Sequence, residues 1–339
     1  MLKVIRTLAE LEQYTAALQQ VYQRNSTLLF MSAIYVRESY AMLLDQNKSN
    51  SLFCVLYFEQ EQLQHYIPLY IDCKGVLRFI FDRHTDYCAL VGQHGGFLFF
   101  KSLAQLFLNE KSIRKIDLDN LSGADDMLGY LKHFLGNGCQ VCAYNNHSFL
   151  SARSGSFLGQ LSTKARNELK RLKKRNSDSD FRVYDGQLPF PDTDLRTLRT
   201  TMIQKKLRTE AFMGPGFLSM CAKLYQNGEL EVFTKWDKQG MIAASIVLVN
   251  TNAERMVWLD LYDEVQYISI SAYIDYIEHL ERIAAPFLSF GRGSYDFKTK
   301  NFEPVIQNLY NLRYSRSAYD WWFVNYHPFR MFVKRILKR

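Results

Sequence analysis

Proline and glycine are scarce in this chain, with 7 and 17 residues among 339. This scarcity excludes collagen-like and low-complexity sequences, and a hydrophobic content of 47% excludes extended disorder. The six cysteines are scattered and form no disulfide framework, which predicts a reducing compartment. Cys139 and Cys142 have the spacing of half a zinc site, but no second pair follows. We therefore expect core cysteines in a strand, and no metal.

Long apolar runs and an export signal are missing as well. Uncharged apolar stretches such as 241–249 reach about half of the roughly 18 residues that a membrane-spanning helix needs. Residues 1–14 carry four charged side chains in place of an apolar core. We expect a cytoplasmic protein that is soluble or peripheral to the inner membrane.

The length and the order of the hydrophobic patterns predict two α/β domains with mixed sheets. A chain of 339 residues suits two cores of about 150 to 180 residues each. The first half opens with helical patterns, then a buried strand at 51–58 and its hairpin partner at 63–71. We place the domain boundary at 155/156, which gives domains 1–155 and 156–339.

The second half contains a three-stranded meander, predicted at 229–236, 241–249 and 255–262. A helix follows at once, and Ser269 or Ser271 is its predicted N-cap. A short apolar segment and a final strand pair complete the pattern. This succession of elements is mixed α/β and not all-helical.

Positive charge is concentrated in two segments. The net charge is +8, yet residues 164–175 hold seven bases against one acid, and residues 327–339 hold five bases and no acid. The remaining chain is therefore slightly acidic, and an anionic partner would meet these two segments.

The first basic segment has a helical stripe, formed by Leu161, Ala165, Leu169 and Leu172, with Ser162 or Thr163 as its cap. Its other faces are cationic. Two interpretations remain open: a helix that faces an anion, or a solvated helix surface.

The second basic segment follows a run of aromatic residues from Trp321 to Phe332. Such a segment can lie on an anionic membrane surface, where each base contributes about 1 kcal/mol. It can equally be a closing helix that packs its aromatic rings on the core. Contact with the membrane would suit a lipid-linked glycan acceptor.

Polar side chains of several chemistries follow a glycine-bracketed turn, Phe290-Gly291-Arg292-Gly293-Ser294-Tyr295-Asp296-Phe297-Lys298. Two glycines give the backbone freedom to end a strand abruptly. This turn is either part of a functional site or a basic connection between strands. A similar polar group, Asp82 to Tyr87, follows an earlier strand, and there His84 is more typical of a surface histidine than of a base.

The second half resembles the GNAT acyltransferase fold. In that fold the strand before the helix bulges, and the free amides of the helix hold the pyrophosphate of the donor. Proteins of the family write this motif as Gln or Arg, two residues, Gly, one residue, then Gly or Ala. Here it reads Gln266-Tyr267-Ile268-Ser269-Ile270-Ser271, with serines in both small positions. The resemblance implies that Gln266, Ser269, Ile270 and Ser271 bind the cofactor, because a helix N-terminus attracts phosphate.

The resemblance is closest to the tandem-GNAT group, which includes FemAB-like proteins and the acetyltransferase-like proteins associated with cellulose and exopolysaccharide synthesis. Three local features carry it: Asp86-Tyr87, the basic run that begins at Leu161 to Arg166, and Phe290 to Gly293 with Lys298 beyond. Two tandem GNAT-like domains are therefore expected.

The resemblance implies an acyl-CoA-dependent N- or O-acyltransferase, with acetyl or longer donors, that acts on a sugar or a cell-envelope or exopolysaccharide precursor. Asp296 or Asp86 is the expected base or orienting carboxylate, and Tyr295 the proton donor. The expected substrate-binding residues are Arg292, Lys298, Tyr87, Lys164 and Arg166.

Two alternatives remain. One is a FemAB-like transferase that uses aminoacyl-tRNA, although a basic helical hairpin arm has no room here and nucleic acid is not an expected partner. The other is a non-catalytic scaffold that keeps the double fold.

Overall fold

The computed structural model describes residues 1–24, 30–80, 85–92, 95–123, 126–152, 156–293, 296–326 and 328–329. Helices and strands alternate through this part of the chain, so the mixed α/β prediction is confirmed. The helices are α1 (Leu8–Glu12), α2 (Thr15–Gln23), α3 (Ala33–Gln46), α4 (Phe97–Asn109), α5 (Asp126–Leu135), α6 (Thr163–Lys174), α7 (Asp192–Gln204), α8 (Phe217–Gln226), α9 (Ile268–Arg282) and α10 (Asp296–Phe302). The strands are β1 (Leu2–Ile5), β2 (Ser51–Glu59), β3 (Gln62–Ile71), β4 (Val76–Phe79), β5 (Val91–Gly92), β6 (Lys115–Ser122), β7 (Cys139–Ser151), β8 (Asp180–Tyr184), β9 (Leu230–Trp236), β10 (Met241–Val249), β11 (Arg255–Tyr262), β12 (Phe287–Arg292) and β13 (Val305–Ser315).

The chain divides into two compact units. Unit one comprises Met1–Asn146 and Asn308–Arg339, and unit two comprises His147–Gln307. Unit one therefore contains most of the last strand, and unit two contains the end of β7. The domain boundary at 155/156 stays a prediction from the sequence.

The sheet of unit one has the order β1-β2-β3-β4-β6-β13-β7, with β5 beside β3. Strands β1 to β4 pair antiparallel, whereas β4 and β6 are parallel. Strand β2 is buried continuously from Leu52 to Leu56. Such a run is typical of a strand that is covered on both faces, as the sequence predicts.

Unit two builds its sheet in the order β7-β12-β11-β10-β9-β8, to which β7 contributes its last residues. The meander of β9, β10 and β11 is confirmed, with antiparallel pairing on both sides of β10. Helix α9 buries Tyr273, Tyr276 and Ile277 in a cluster that also receives the apolar stripe of α6. Residues at helical spacing thus fix both helices on the sheet.

The predicted serine cap of α9 is wrong. The N-cap is Tyr267, with a left-handed φ of 64° and no capping bond from its side chain. Ser269 and Ser271 lie inside the first turn, and Ser271 is buried. A left-handed tyrosine costs on the order of 1 kcal/mol, so the turn after β11 is strained where the helix begins. In α6, by contrast, the predicted cap is confirmed: Ser162 Oγ accepts from the Ala165 amide at 3.2 Å.

Cys139 lies buried in β7, where burial raises the pKa of its thiol to about 12. Its expected place in a strand is therefore confirmed. Within the described ranges, no group of three or more His, Cys, Asp or Glu residues is arranged to hold a metal. None of the helices described above combines the length and the apolar composition needed to cross a membrane.

Candidate functional site

Strands β11 and β12 diverge soon after they begin. They are parallel, but only Arg255 with Leu288 and Met256 with Ser289 are in register. Among the described residues, no further ladder pair joins the two strands. In open α/β sheets, ligands bind in crevices beyond the carboxyl ends of the strands. We call this opening the β11–β12 gap.

Irregular backbone lines both sides of the β11–β12 gap. On β11 the register against β10 shifts at Trp258, which is the bulge that the family resemblance implies before the helix. On β12 the register against β7 shifts between Ser289 and Arg292. Gly291 and Gly293 have φ values of 72° and 84°, which confirms that this turn uses conformations that suit glycine.

The N-terminus of α9 lies just past the end of β11, at the same edge of the sheet. Its Ile268 amide donates to the Val265 carbonyl at 3.2 Å and its Ser271 amide to the Tyr267 carbonyl at 3.0 Å. The amides of Ser269 and Ile270 have no hydrogen-bond partner within the described ranges. Two free N–H groups at a helix N-terminus can donate hydrogen bonds to an anion.

The end of α6 supplies cations beside these amides. The Arg175 guanidinium lies 5.0 Å from the centre of the Tyr267 ring. Asn176 donates its side-chain amide to the Gln266 carbonyl at 3.2 Å. Arg171 donates a hydrogen bond to Glu168, and this bond raises the pKa of the Arg171 guanidinium. Arg171 also has an electrostatic interaction with Tyr267. The site choice made from the sequence missed Arg171 and Arg175.

Lys164 and Arg166, the α6 residues predicted to bind substrate, lie at the opposite end of that helix. Both are exposed. Eleven helical steps separate Lys164 from Arg175, or about 16 Å along the axis. The fold therefore does not place these two bases at the start of α9.

A lysine-lined cleft of about 400 Å³ continues from the end of α6. Its walls include Lys170, Lys173 and Lys174, and Phe181 lies among its lining residues. Lys235 is buried there and pairs with Asp275 at 2.5 Å. Asp275 also pairs with Lys173 at 2.8 Å, so one carboxylate holds two of the cations in place.

Asp260 is a further candidate, which the sequence reasoning missed. It lies on β11 and accepts hydrogen bonds from Ser245 at 2.7 Å and from the Tyr273 hydroxyl at 2.9 Å. Burial raises the pKa of its carboxyl, although these bonds and the nearby Lys298 and Arg208 act in the opposite direction. A carboxylate with a raised pKa is better suited to accept a proton near neutral pH. Its signal was an acid between two leucines near the end of an apolar strand.

Lys298 is buried, and its ammonium holds the turn after β12. It donates to the carbonyl of Phe290, and to that of Arg292 at 3.2 Å. Arg292 is itself half-buried at the end of β12. Both predicted cations thus belong to the carboxyl-end edge of the β11–β12 gap. Their contact with a substrate stays a prediction.

The predicted carboxylates and phenol have different surroundings. Asp296 begins α10, is 85% exposed and pairs with Lys300 at 2.8 Å. The bond from Lys300 lowers the pKa of its carboxyl. Tyr295 lies outside the described residues. Asp86 and Tyr87 are buried in unit one, so they belong to a different unit from the β11–β12 gap.

No protein-family model matches this chain, and no curated protein matches its sequence. Solved structures match its fold. A C-terminal domain (DUF2156), described as that of a lysylphosphatidylglycerol synthetase from Agrobacterium fabrum, matches with a TM-score of 0.64 and 13% identity, over 91% of this chain and 93% of that one. FemX matches with a TM-score of 0.60 and 8% identity, over 92% and 96% of the two chains. A tandem GNAT protein from the clavulanic acid biosynthesis pathway matches with a TM-score of 0.51 and 8% identity, over 92% and 98%.

Proposed function

We propose that this chain, which has the fold of tandem GNAT proteins, is an acyltransferase. It moves an acyl group from an acyl-CoA thioester to an amine or hydroxyl of a sugar or cell-envelope precursor. The observation that carries the proposal is the β11–β12 gap, which leads to two free amides at the start of α9. An acyl-CoA donor has a long flexible arm, which fits the β11–β12 gap, and a pyrophosphate, which fits the two free amides.

Unit two offers a place for each part of the donor. The amides of Ser269 and Ile270 would bind the pyrophosphate, and Arg171 and Arg175 would add charge beside it. The β11–β12 gap would receive the extended arm. Asp260, Lys298 and Arg292 belong to the same carboxyl-end edge, where the thioester would meet the acceptor.

Because a thioester is already activated, the protein needs mainly to position the two substrates and to transfer protons. Asp260 accepts the proton of the acceptor amine or hydroxyl as that group attacks the thioester carbonyl. The new C–N or C–O bond forms, the C–S bond breaks, and the thiolate leaves as free CoA. Tyr295 remains the predicted proton donor to this thiolate.

The test compares Asp260→Asn with the wild type in two assays. Titration calorimetry measures binding of acetyl-CoA and longer acyl-CoAs, and thiol release measures transfer to candidate amino sugars. We expect unchanged donor affinity and a transfer rate that falls by about 100-fold or more. Asp180→Asn, a change at an exposed carboxylate, is the matched control. A wild-type protein that binds no acyl-CoA would refute the proposal.

A second candidate is transfer from aminoacyl-tRNA, and the lysine-lined cleft favours it. Exposed Lys170 and Lys174 of the cleft and the basic face of α6 suit a large polyanion. The Agrobacterium protein is also named for the synthesis of a lysyl lipid. This candidate would be favoured if the protein bound aminoacyl-tRNA with a steep salt dependence and did not bind acyl-CoA. A protein that binds neither donor would be a non-catalytic scaffold.

A further inference from the structure

An exposed aromatic patch follows β13 in unit one. We define it as Tyr319, Trp321, Trp322, Tyr326 and Phe329. Tyr319 is 99% exposed, and the two tryptophans are 54% and 59% exposed. Trp322 makes edge contacts with Trp321 at 5.3 Å and with Phe329 at 5.1 Å between ring centres, so these three rings form one surface. Contiguous exposed apolar surface of this kind marks an interaction site.

The opposite side of the same segment is fastened to unit one. Arg313 donates to the Phe323 carbonyl at 3.0 Å and lies 5.0 Å from the centre of that ring. Lys115 pairs with Asp320 at 2.7 Å and lies over the Phe323 ring as well. Val324 is buried. Because these inner residues already anchor the segment, most of the aromatic patch is available to a partner.

The chemistry of the patch and of the residues after it selects one kind of partner. Tryptophan and tyrosine combine an apolar ring with a polar atom, which suits the boundary between lipid and water. Residues 330–339 contain five bases and no acid, and they follow the patch directly in the chain. A second copy of the chain would bring the same five bases together and be repelled. A bilayer with anionic headgroups satisfies both the rings and the charges.

We propose that the aromatic patch docks this protein on the surface of anionic phospholipid bilayers. The rings enter the headgroup layer, and the positive charge of the sequence that follows them favours anionic lipids. This docking does not depend on acyl transfer. Vesicle binding can therefore fail while acyl transfer succeeds, and the reverse also holds.

The test is sedimentation of the full chain with vesicles of phosphatidylcholine, with and without phosphatidylglycerol. We expect binding only when phosphatidylglycerol is present, and weaker binding at high salt because salt screens the bases. The tryptophan fluorescence should shift to the blue on binding, as the indoles leave water.

Two variants decide which residues carry the binding. Trp321→Ser with Trp322→Ser should weaken binding by about tenfold or more. Phe97→Ser with Leu98→Ser removes an exposed apolar pair from α4 of the same unit and should leave binding unchanged. Tyr319→Ser, at the most exposed ring, serves if the tryptophan variant does not fold. Equal binding to neutral vesicles, no binding to either kind, or self-association through the patch would overturn the proposal.

Discussion

Each unit contains a short parallel strand pair, but the residues around the two pairs differ. In unit one, the parallel strands β4 and β6 are in register at Val76 with Lys115 and Leu77 with Ile116. In unit two, β11 and β12 are likewise in register at two positions. Each unit therefore has a short parallel pair whose strands soon separate.

The residues just beyond the paired positions differ between the units. In unit one the next residues along each strand are Arg78 and Asp117, which form an ion pair at 2.9 Å. Asp117 is buried and also accepts from Arg313 and Asn311, each at 2.8 Å. In unit one, therefore, paired charges occupy the positions just beyond the strand pair. In unit two the corresponding edge remains lined by strand backbone, a bulge and a carboxylate with a raised pKa.

The first turns of α4 in unit one and α9 in unit two also differ in polarity. Helix α4 of unit one begins with exposed Phe97 and Leu98. Helix α9 of unit two begins with two free amides beside arginines of α6. An apolar first turn disfavours phosphate, and a cationic one attracts it. Two units with similar strand pairs therefore need not present the same surface to a ligand.

The largest expected effect comes from removing the buried carboxylate of unit one. Asp117→Ala leaves Arg78 and Arg313 without their shared carboxylate, and we expect a loss of about 3 to 5 kcal/mol in the free energy of unfolding. Urea unfolding of the full chain measures it, with Asp180→Asn as the control. Donor binding in unit two should persist. A loss below about 1 kcal/mol would mean that these charges do not hold unit one together.

The next largest effect is on the pH dependence of stability, through Asp260 of unit two. Burial raises the pKa of Asp260 above its unfolded value. Its contribution to stability is therefore complete below the unfolded pKa and is lost as the pH rises through the folded pKa. Asp260→Asn should remove this loss, so the variant gains stability relative to the wild type as the pH rises above the unfolded pKa of about 4. Parallel urea-unfolding profiles for the two proteins would contradict the raised pKa.

A smaller effect on donor affinity should distinguish the two ends of α6. Arg175→Ala should weaken acyl-CoA binding about fivefold, because a cation leaves the N-terminus of α9. Lys238→Ala, in the exposed turn between β9 and β10, is the control. The paired change Lys164→Ala and Arg166→Ala should leave donor affinity unchanged. It should raise the KM for the acceptor if those bases bind substrate, as the sequence predicts.

The smallest effect is expected at Asp296, the carboxylate chosen from the sequence. It is exposed and paired only with Lys300 among the described residues. Asp296→Asn should leave the unfolding curve unchanged and lower the transfer rate by less than about tenfold. A loss of 100-fold or more, comparable with that expected for Asp260→Asn, would restore Asp296 as the base.

Local pattern explains why so much of the fold was predictable. The meander and the apolar stripe of α6 follow from periodicity within one element. For Asp260 the local pattern shows only an acid within an apolar strand, because its partners Ser245 and Tyr273 are on two other elements. The left-handed Tyr267 was missed because a serine pattern predicts a side-chain cap, whereas here the backbone turn after β11 starts the helix. Arg171 and Arg175 were visible as bases, but only the packing of α6 on α9 selects them over Lys164.

The place of β13 in unit one has a consequence for how this protein is made. Residues 309–315 pair with β6, about 190 positions earlier in the chain. The sheet of unit one therefore lacks this strand until the chain has been synthesised as far as Ser315. Contacts that distant slow folding, since a long loop must close first. During translation the nascent amino-terminal half should expose an unpaired β6 edge, which chaperones would need to shield.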